Sequence, residues 1–324
     1  MPKTEDIIQR SGVSRSTLFR FLRGNNVRPE AKKAILKAMH ELGYSTKELF
    51  LKDVVLEISV AKDFEKFKGF TEVIHGITER AEMKKIRIQL VIRTGEQIRR
   101  DYEKWSDKND AKGVIIIGKD AENENLEAQW LKQKKIPHIF VNRVMEDPDI
   151  SYVAVDVRKA ACDIVEYLIK KGHTKIATLG YPDILRIDRD KLAGYDDAFE
   201  KNGLKADKKY KFILKEHDTS IDAIEAILKM EDRPTAFFGI CDSYAMEFIN
   251  KAREMGLRVP EDIAVVGMDD LDIAQYFKPS LTTVKTPFRE LGILAVDYLL
   301  QMLTDDVASV KAIVKHTLHI RESA

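Results

Sequence analysis

Four polar residues near the start of the chain, Arg15, Ser16, Thr17 and Arg20, are of the types that grip and read nucleic acid. An arginine offers a planar fork of donors that matches guanine O6 and N7 or a phosphate, and hydroxyls reach phosphate oxygens. Their neighbours supply the helix that would carry them. Leu18, Phe21 and Leu22 are spaced i, i+3, i+4 and form one buried stripe, which leaves 15, 16, 17 and 20 near the N-terminus and on another face. Ser14 is placed to cap that helix. A first helix precedes it: Thr4 can cap it, Glu5 and Asp6 suit the positive end of its dipole, and Ile7 and Ile8 supply apolar surface. Gly12 sits at the turn between the two, where positive φ is favoured. A third helix is expected from Pro29 to Leu42, buried through Ile35, Leu36, Met39 and Leu42 and ended by Gly43. This is a helix-turn-helix layout, whose second helix enters the DNA major groove. The first two helices alone also fit an ordinary helical hairpin.

Charge and composition narrow the function classes. Residues 1–44 hold nine Lys and Arg against four Asp and Glu, although the whole chain carries only +1. A basic head on a mildly acidic body suits phosphate contacts made by the head alone, the plain alternative being chance clustering on a solvated helix. Two cysteines, Cys162 and Cys241, stand far apart without metal-ligand spacing, so buried reduced thiols are expected and no metal or cofactor. His316 and His319 would face opposite sides of a strand and cannot share a metal. There is no signal peptide, and no run approaches the roughly 18 apolar residues of a membrane span. A cytoplasmic protein with no membrane partner is expected.

After a connector at 45–53, β-rich runs alternate with helical patterns. Runs at 54–60, 86–92, 113–118 and 138–141 are interleaved with helices at about 66–84, 96–108 and 123–134. The pattern then restarts, with runs at 152–155, 175–180, 212–214, 236–240 and 263–267 and helices at about 158–171, 191–202, 220–230 and 243–255. A helix at 288–303 and a strand at 312–320 close the chain. Alternation of this kind predicts parallel sheets covered by helices. Two successive sets predict two doubly wound subdomains with a ligand cleft at the carboxyl ends of their strands.

The motifs carry a resemblance. Glu5-Asp-Ile-Ile-x-x-Ser-Gly-Val-Ser-x-x-Thr-Leu18, then Val27-Arg-Pro-Glu30 and Glu41-Leu-Gly-Tyr44, resembles the DNA-binding head of the lactose/galactose repressor (LacI/GalR) family. In the body, Lys171-Gly-His-Thr-Lys-Ile-Ala177, Leu192-Ala-Gly-Tyr195, Arg233-Pro-Thr-Ala-Phe237, Met255-Gly-Leu-Arg-Val-Pro-Glu-Asp-Ile263 and Pro279-Ser-Leu-Thr-Thr-Val284 are similar to the same family's effector-binding domain. The resemblance spans the chain from about Thr4 to the last strand. It implies a small all-α helix-turn-helix head (1–44), a short hinge (45–53) and an α/β periplasmic-binding-protein-like body (54–324). Within the body it implies one subdomain at about 54–151 and 284–308 and another at about 152–283 and 309–324.

The resemblance also implies functional residues. Thr4, Ser14, Arg15, Ser16, Thr17, Arg20 and Arg23 would contact operator DNA, with Arg15, Ser16 and Arg20 reaching bases and Thr17 a phosphate. Phe19 stands where serine is common and either packs in the small core or meets a thymine methyl. The connector is shorter than the family's, so Leu49 either wedges into the minor groove or belongs to a strap buried against the body. In the cleft, Asp269 would accept two sugar hydroxyls or cap a loop, and Asp242 would bind ligand or cap a helix. Lys191 replaces a ligand-clamping arginine, with Arg186 or Arg189 as substitutes. His217 matches an aromatic that packs on ligand, or is structural, and Phe70 matches a stacking aromatic. Three cations there would tolerate a phosphate or carboxylate on the effector. The implied function is a repressor that binds an inverted repeat as a homodimer and responds to a small effector, a sugar or sugar derivative. An enzyme on the same body is the competing class. Against it, the chain lacks Gly-x-Gly-x-x-Gly, phosphate-loop and Gly-x-Ser-x-Gly motifs and offers no catalytic set. A transport protein for sugars is the third class, and the basic head and missing export signal oppose it.

Overall fold

Three short helices form first, each for local reasons: α1 (Thr4–Ser11), α2 (Arg15–Leu22) and α3 (Pro29–Glu41). Gly12 and Gly43 follow α1 and α3 at φ +68 and +69, a region that only glycine adopts without strain. Ser14 caps α2, its Oγ accepting the Thr17 N–H at 3.1 Å. Thr4 is itself the first residue of α1, not a cap lying ahead of it. Ile7, Leu18, Phe21, Ile35, Ala38 and Met39 close a core of their own. This computed structural model describes residues 4–22, 27–43, 54–61, 69–106, 111–118, 121–183, 186–215, 217–304, 307 and 309–324. Arg23 and the 45–53 connector with Leu49 lie outside the described residues.

The body holds two six-stranded sheets. The first has strands β1 (Val55–Val60), β2 (Arg87–Ile92), β3 (Ala111–Ile117), β4 (His138–Val141), β5 (Tyr152–Val155) and β11 (Lys311–Val314), in the order β11-β5-β4-β3-β1-β2. The second has β6 (Ile176–Gly180), β7 (Lys211–Ile213), β8 (Ala236–Gly239), β9 (Ala264–Asp269), β10 (Thr282–Lys285) and β12 (Thr317–His319), in the order β12-β10-β9-β8-β6-β7. Every neighbouring pair is parallel except β10 with β12. Parallel neighbours need long crossovers, and most of them run through a helix, although β4 reaches β5 without one. Helices also follow passages from one sheet to the other. The helices are α4 (Phe70–Lys84), α5 (Gly95–Glu103), α6 (Ala121–Gln133) and α11 (Phe288–Thr304) on the first sheet, and α7 (Val157–Lys170), α8 (Arg186–Lys201), α9 (Ser220–Leu228) and α10 (Asp242–Glu254) on the second. The central strands β1 and β9 are buried along their whole length, as strands covered on both faces must be. α4 and α11 touch backbone to backbone: a methyl on Gly76 would collide with the Arg289 carbonyl, and one on Gly292 with that of Val73.

Three expectations are corrected by this topology. Tyr152–Val155 does not open the second unit; it pairs with β4 and β11 inside the first sheet, and its Tyr152 N–H donates to the Val310 carbonyl at 2.8 Å. The expected closing strand at 312–320 splits, β11 joining the first sheet and β12 the second. The helix expected from Lys191 begins at Arg186, which puts Arg186 and Arg189 on its first turns. Sheet membership therefore assigns 54–155 and 288–314 to one unit and 157–285 and 317–319 to the other. A four-residue apolar strand fits any sheet edge of the right register, so its own residues do not name its partner. The chain passes between the units at Asp156, Thr286-Pro287 and Lys315-His316, each time leaving the carboxyl end of a strand. The carboxyl ends of both sheets consequently face the gap that these passages span.

Candidate functional site

The exposed face of α2 is one candidate surface. Leu18 and Phe21 are buried on its inner side, and Arg15, Ser16 and Arg20 are exposed on the outer side. The Ser14 hydroxyl lies 2.9 Å from that of Ser16 and 2.8 Å from that of Thr17, so the capping network fixes the hydroxyls at the helix start. Arg10 and Glu41 tie α1 to α3 at 2.6 Å.

The second candidate lies where β8 and β9 end. Lys191 projects from α8 and is almost fully buried. Its Nζ donates to the Ile240 carbonyl at 2.7 Å and stands 3.4 Å from Asp269 Oδ1. Burial works against the Lys191 charge, but the attraction of Asp269, Cys241 and Asp188 more than offsets it and raises its pKa above the ordinary lysine value. Burial also raises the Asp269 carboxyl, against the pull of Lys191. Asp269 closes β9 at φ +113 and Asp270 follows at φ +54, both unusual for residues with a side chain. Strained backbone of this kind persists where the surroundings hold it, commonly at ligand sites. Asp270 is held from β12 and beyond: Arg321 Nη2 donates to it at 2.6 Å and His319 Nδ1 stands 3.0 Å away. One turn before Lys191, Asp188 accepts the Tyr181 N–H at 2.9 Å, and burial raises its carboxyl. The Cys241 thiol beside this group is pushed up to about 12 by burial and by Asp269, so it stays protonated.

The first unit faces this group with charges of its own. Arg143, just past β4, pairs with Glu124 at 2.7 Å and lies close enough to favour the charged form of Asp188. Glu146 accepts from Arg186 of α8 at 2.8 Å, an ion pair that joins the two units. Deeper under β1, Arg93 meets Glu57 at 2.5 Å, and the hydroxyls of Ser59 and Tyr102 both donate to Glu127 at 2.6 Å. That buried network ties β1 to α5 and α6.

Of the six expected ligand residues, the structure brings Lys191 and Asp269 together. Phe70 starts α4 and packs half-buried on the main core. Arg189 is exposed, its nearest partner the Pro182 carbonyl at 3.4 Å, and His217 is exposed on the loop before α9. Asp242 serves the interior: it is fully buried, with Thr283 Oγ1 donating at 2.5 Å and the Leu271 N–H at 2.7 Å, and it drops out of the ligand set. Asp188, Arg143 and Asp270 were missed. The i, i+3 spacing of Asp188 and Lys191 is the signal in the sequence, and a helix expected only from Lys191 does not contain it. Among the described residues no group of three or more His, Cys, Asp or Glu could hold a metal ion, and no helix is long and apolar enough to cross a membrane. His316 and His319 have separate carboxylate partners, Asp163 and Asp270, each at 3.0 Å.

Asp242 yields a pH prediction. Burial, then the neighbouring Asp269, pushes its carboxyl up to about 8. The folded chain therefore binds a proton that the unfolded chain has lost, and this contribution to stability, full below about pH 4, declines as the pH rises towards 8. Asp242→Asn should remove a slope of up to about 1.4 kcal/mol per pH unit across that window. Denaturant titrations at several pH values read it, and an unchanged slope would show that Asp242 is ionised throughout.

The comparisons with known proteins agree with this geometry. Residues 165–324 match the family model described as a periplasmic binding protein-like domain. The HTH-type transcriptional repressor PurR of Photobacterium profundum is 27% identical over 315 residues, covering 94% of this chain and 93% of its own. Catabolite control protein A of Priestia megaterium is 27% identical over 332 residues, covering 98% of each chain. Among solved structures, the transcriptional regulator CelR–cellobiose complex superposes with a TM-score of 0.73 at 24% identity, covering 100% of both chains.

Proposed function

Because the chain belongs to the LacI/GalR family of transcriptional regulators, we propose that it is a DNA-binding repressor whose operator affinity is set by a small effector held between the two units of the body. The observation that carries this reading is the outer face of α2, where Arg15, Ser16 and Arg20 are exposed on a helix whose other face is buried. Arg15, Ser16 and Arg20 read base edges, Thr17 and Thr4 help to set the phosphate register, Ser14 fixes the helix start, and Arg23 adds a backbone contact. Leu49 of the connector enters the minor groove, so Leu49→Ala should lower both operator affinity and bend angle. Selection of bound DNA from a random library with the full-length chain tests the reading. An inverted-repeat consensus is expected, and a failure to enrich any sequence would overturn it.

In the cleft, Asp269 accepts effector hydroxyls and Lys191 donates; His217, Arg189 and Phe70 are carried as ligand contacts by the resemblance alone. The effector is a carbohydrate. Of the three cations, Lys191 is already paired with Asp269 and Arg186 with Glu146, which leaves Arg189 on a backbone carbonyl. A neutral sugar therefore fits better than the phosphate or carboxylate that the cation count suggested. Calorimetry with matched neutral and phosphorylated sugars should detect the neutral ones, and tight binding of only phosphorylated ones would reverse the assignment. The protein works in the cytoplasm, where its DNA is.

Two copies act together, since a two-fold dimer matches an inverted repeat. The edge strand β2 supports this, for it exposes Leu90 and Ile92 at 49% and 46%. An apolar strand edge of this kind invites a partner. Leu90→Asp should weaken dimerisation by about 2 kcal/mol or more, read by sedimentation equilibrium. Unchanged dimer affinity would place the interface elsewhere.

A further inference from the structure

The recognition helix carries one large apolar side chain on its outside. Phe19 is 36% exposed, while Leu18 and Phe21 beside it are at 0% and 3%. The small core is closed without it, so packing does not account for a phenylalanine there. Phe19 lies four residues after Arg15, a spacing that puts both on one helix face. The Arg15 guanidinium carbon stands 5.7 Å from the centroid of the Phe19 ring, within the range at which a cation is drawn to the ring's negative face. A guanidinium can rest on a ring and still present its N–H donors, because those donors lie in its own plane. An arginine that is already held also has less side-chain freedom to lose when it docks on a base.

We propose that Phe19 is a positioning residue for sequence readout: its ring braces Arg15 so that the guanidinium fork faces guanine, and it thereby strengthens the preference for guanine at one position of each half-site without touching that base. The proposal rests on the DNA-binding reading above. It gives Phe19 a different role from contact with a thymine methyl, which would favour thymine and would be satisfied by any apolar side chain.

The test uses the full-length chain carrying Phe19→Ala, Phe19→Leu or Phe19→Tyr, each alone and together with Arg15→Ala. Each protein is titrated at fixed salt against the selected operator and its single-base variants. Alanine and leucine should each lower the guanine preference at one position by about two- to five-fold, the size of a cation–π contact at an exposed site. Preferences elsewhere should stay unchanged, tyrosine should retain the wild-type profile, and no Phe19 variant should change the profile further once Arg15 is alanine. A lost thymine preference that leucine restores would overturn the brace in favour of a methyl contact. Uniform weakening on all sequences would overturn it in favour of a merely structural role. A second readout needs no DNA: the Arg15 side-chain protons of the free protein should move downfield when Phe19→Leu removes the ring current, and no movement overturns the stacking. A wild-type chain with no preferred sequence overturns the DNA-binding reading and the readout role with it. The ring-current result separates that failure from an absence of the contact.

Discussion

Replacing Arg15 and Arg20 together by alanine should abolish discrimination between the operator and random DNA while leaving the protein folded. Each bidentate arginine–guanine contact is worth about 1–3 kcal/mol of discrimination. Losing two corresponds to about 2–6 kcal/mol, a factor of roughly 30 or more in specificity. Both side chains are exposed, and neither contributes to the core formed by Ile7, Leu18, Phe21, Ile35, Ala38 and Met39. The thermal midpoint of the chain should therefore move little. Residual binding should be salt-dependent and indifferent to sequence, because phosphate contacts from the remaining head cations survive. Titration of operator and scrambled duplex at one fixed salt concentration reads the effect. A double variant that still prefers its operator within two-fold of the wild type would mean that another surface reads the DNA.

The second large effect is expected at the Lys191–Asp269 pair. Lys191→Met leaves the Asp269 carboxylate buried without its partner, and Asp269→Asn leaves the ammonium in the same position. Removing one member of a buried ion pair typically costs about 3–5 kcal/mol. The double variant should recover much of that loss, since the uncompensated charge is gone. Effector binding should not recover with stability, because the donor and the acceptor for the ligand are then both altered. Denaturant unfolding of the four proteins gives the cycle, and calorimetry on the double variant gives the binding. Single variants that each cost less than about 1 kcal/mol would place the pair in contact with water instead. A double variant that is stable and still binds the effector would remove Lys191 and Asp269 from the site.

The two predictions draw on different amounts of sequence information. The head was legible almost residue by residue. Its elements are short, and their determinants are local: a serine cap at Ser14, glycines at 12 and 43 with positive φ, a proline at the start of α3, and apolar spacing along α2. The functional face followed from the same periodicity, because what a helix does not bury it must expose. Phe19 is the exception. The pattern placed it off the stripe, but only the folded helix puts its ring beside Arg15.

In the body, the alternation of strands and helices depends on hydrophobic runs and their spacing, and the sequence by itself determined that there would be two largely parallel, helix-covered sheets. It also marked Lys191 and Asp269, through motifs that surround them. Tertiary structure alone decided which sheet took β5, where β11 parted from β12, and which carboxylates the interior consumed. Those outcomes depend on partners far apart in the chain. β5 joined the first sheet because β4 and β11 offered it matching edges, which no property of Tyr152-Val-Ala-Val155 encodes. Asp242 and Asp269 look alike in sequence, each after a buried strand. They differ because Thr283 and Leu271 consume the first, while the second is held at a strained strand end beside a buried lysine. A carboxylate's role is set by the groups that fold against it, and those groups are named only when distant segments meet.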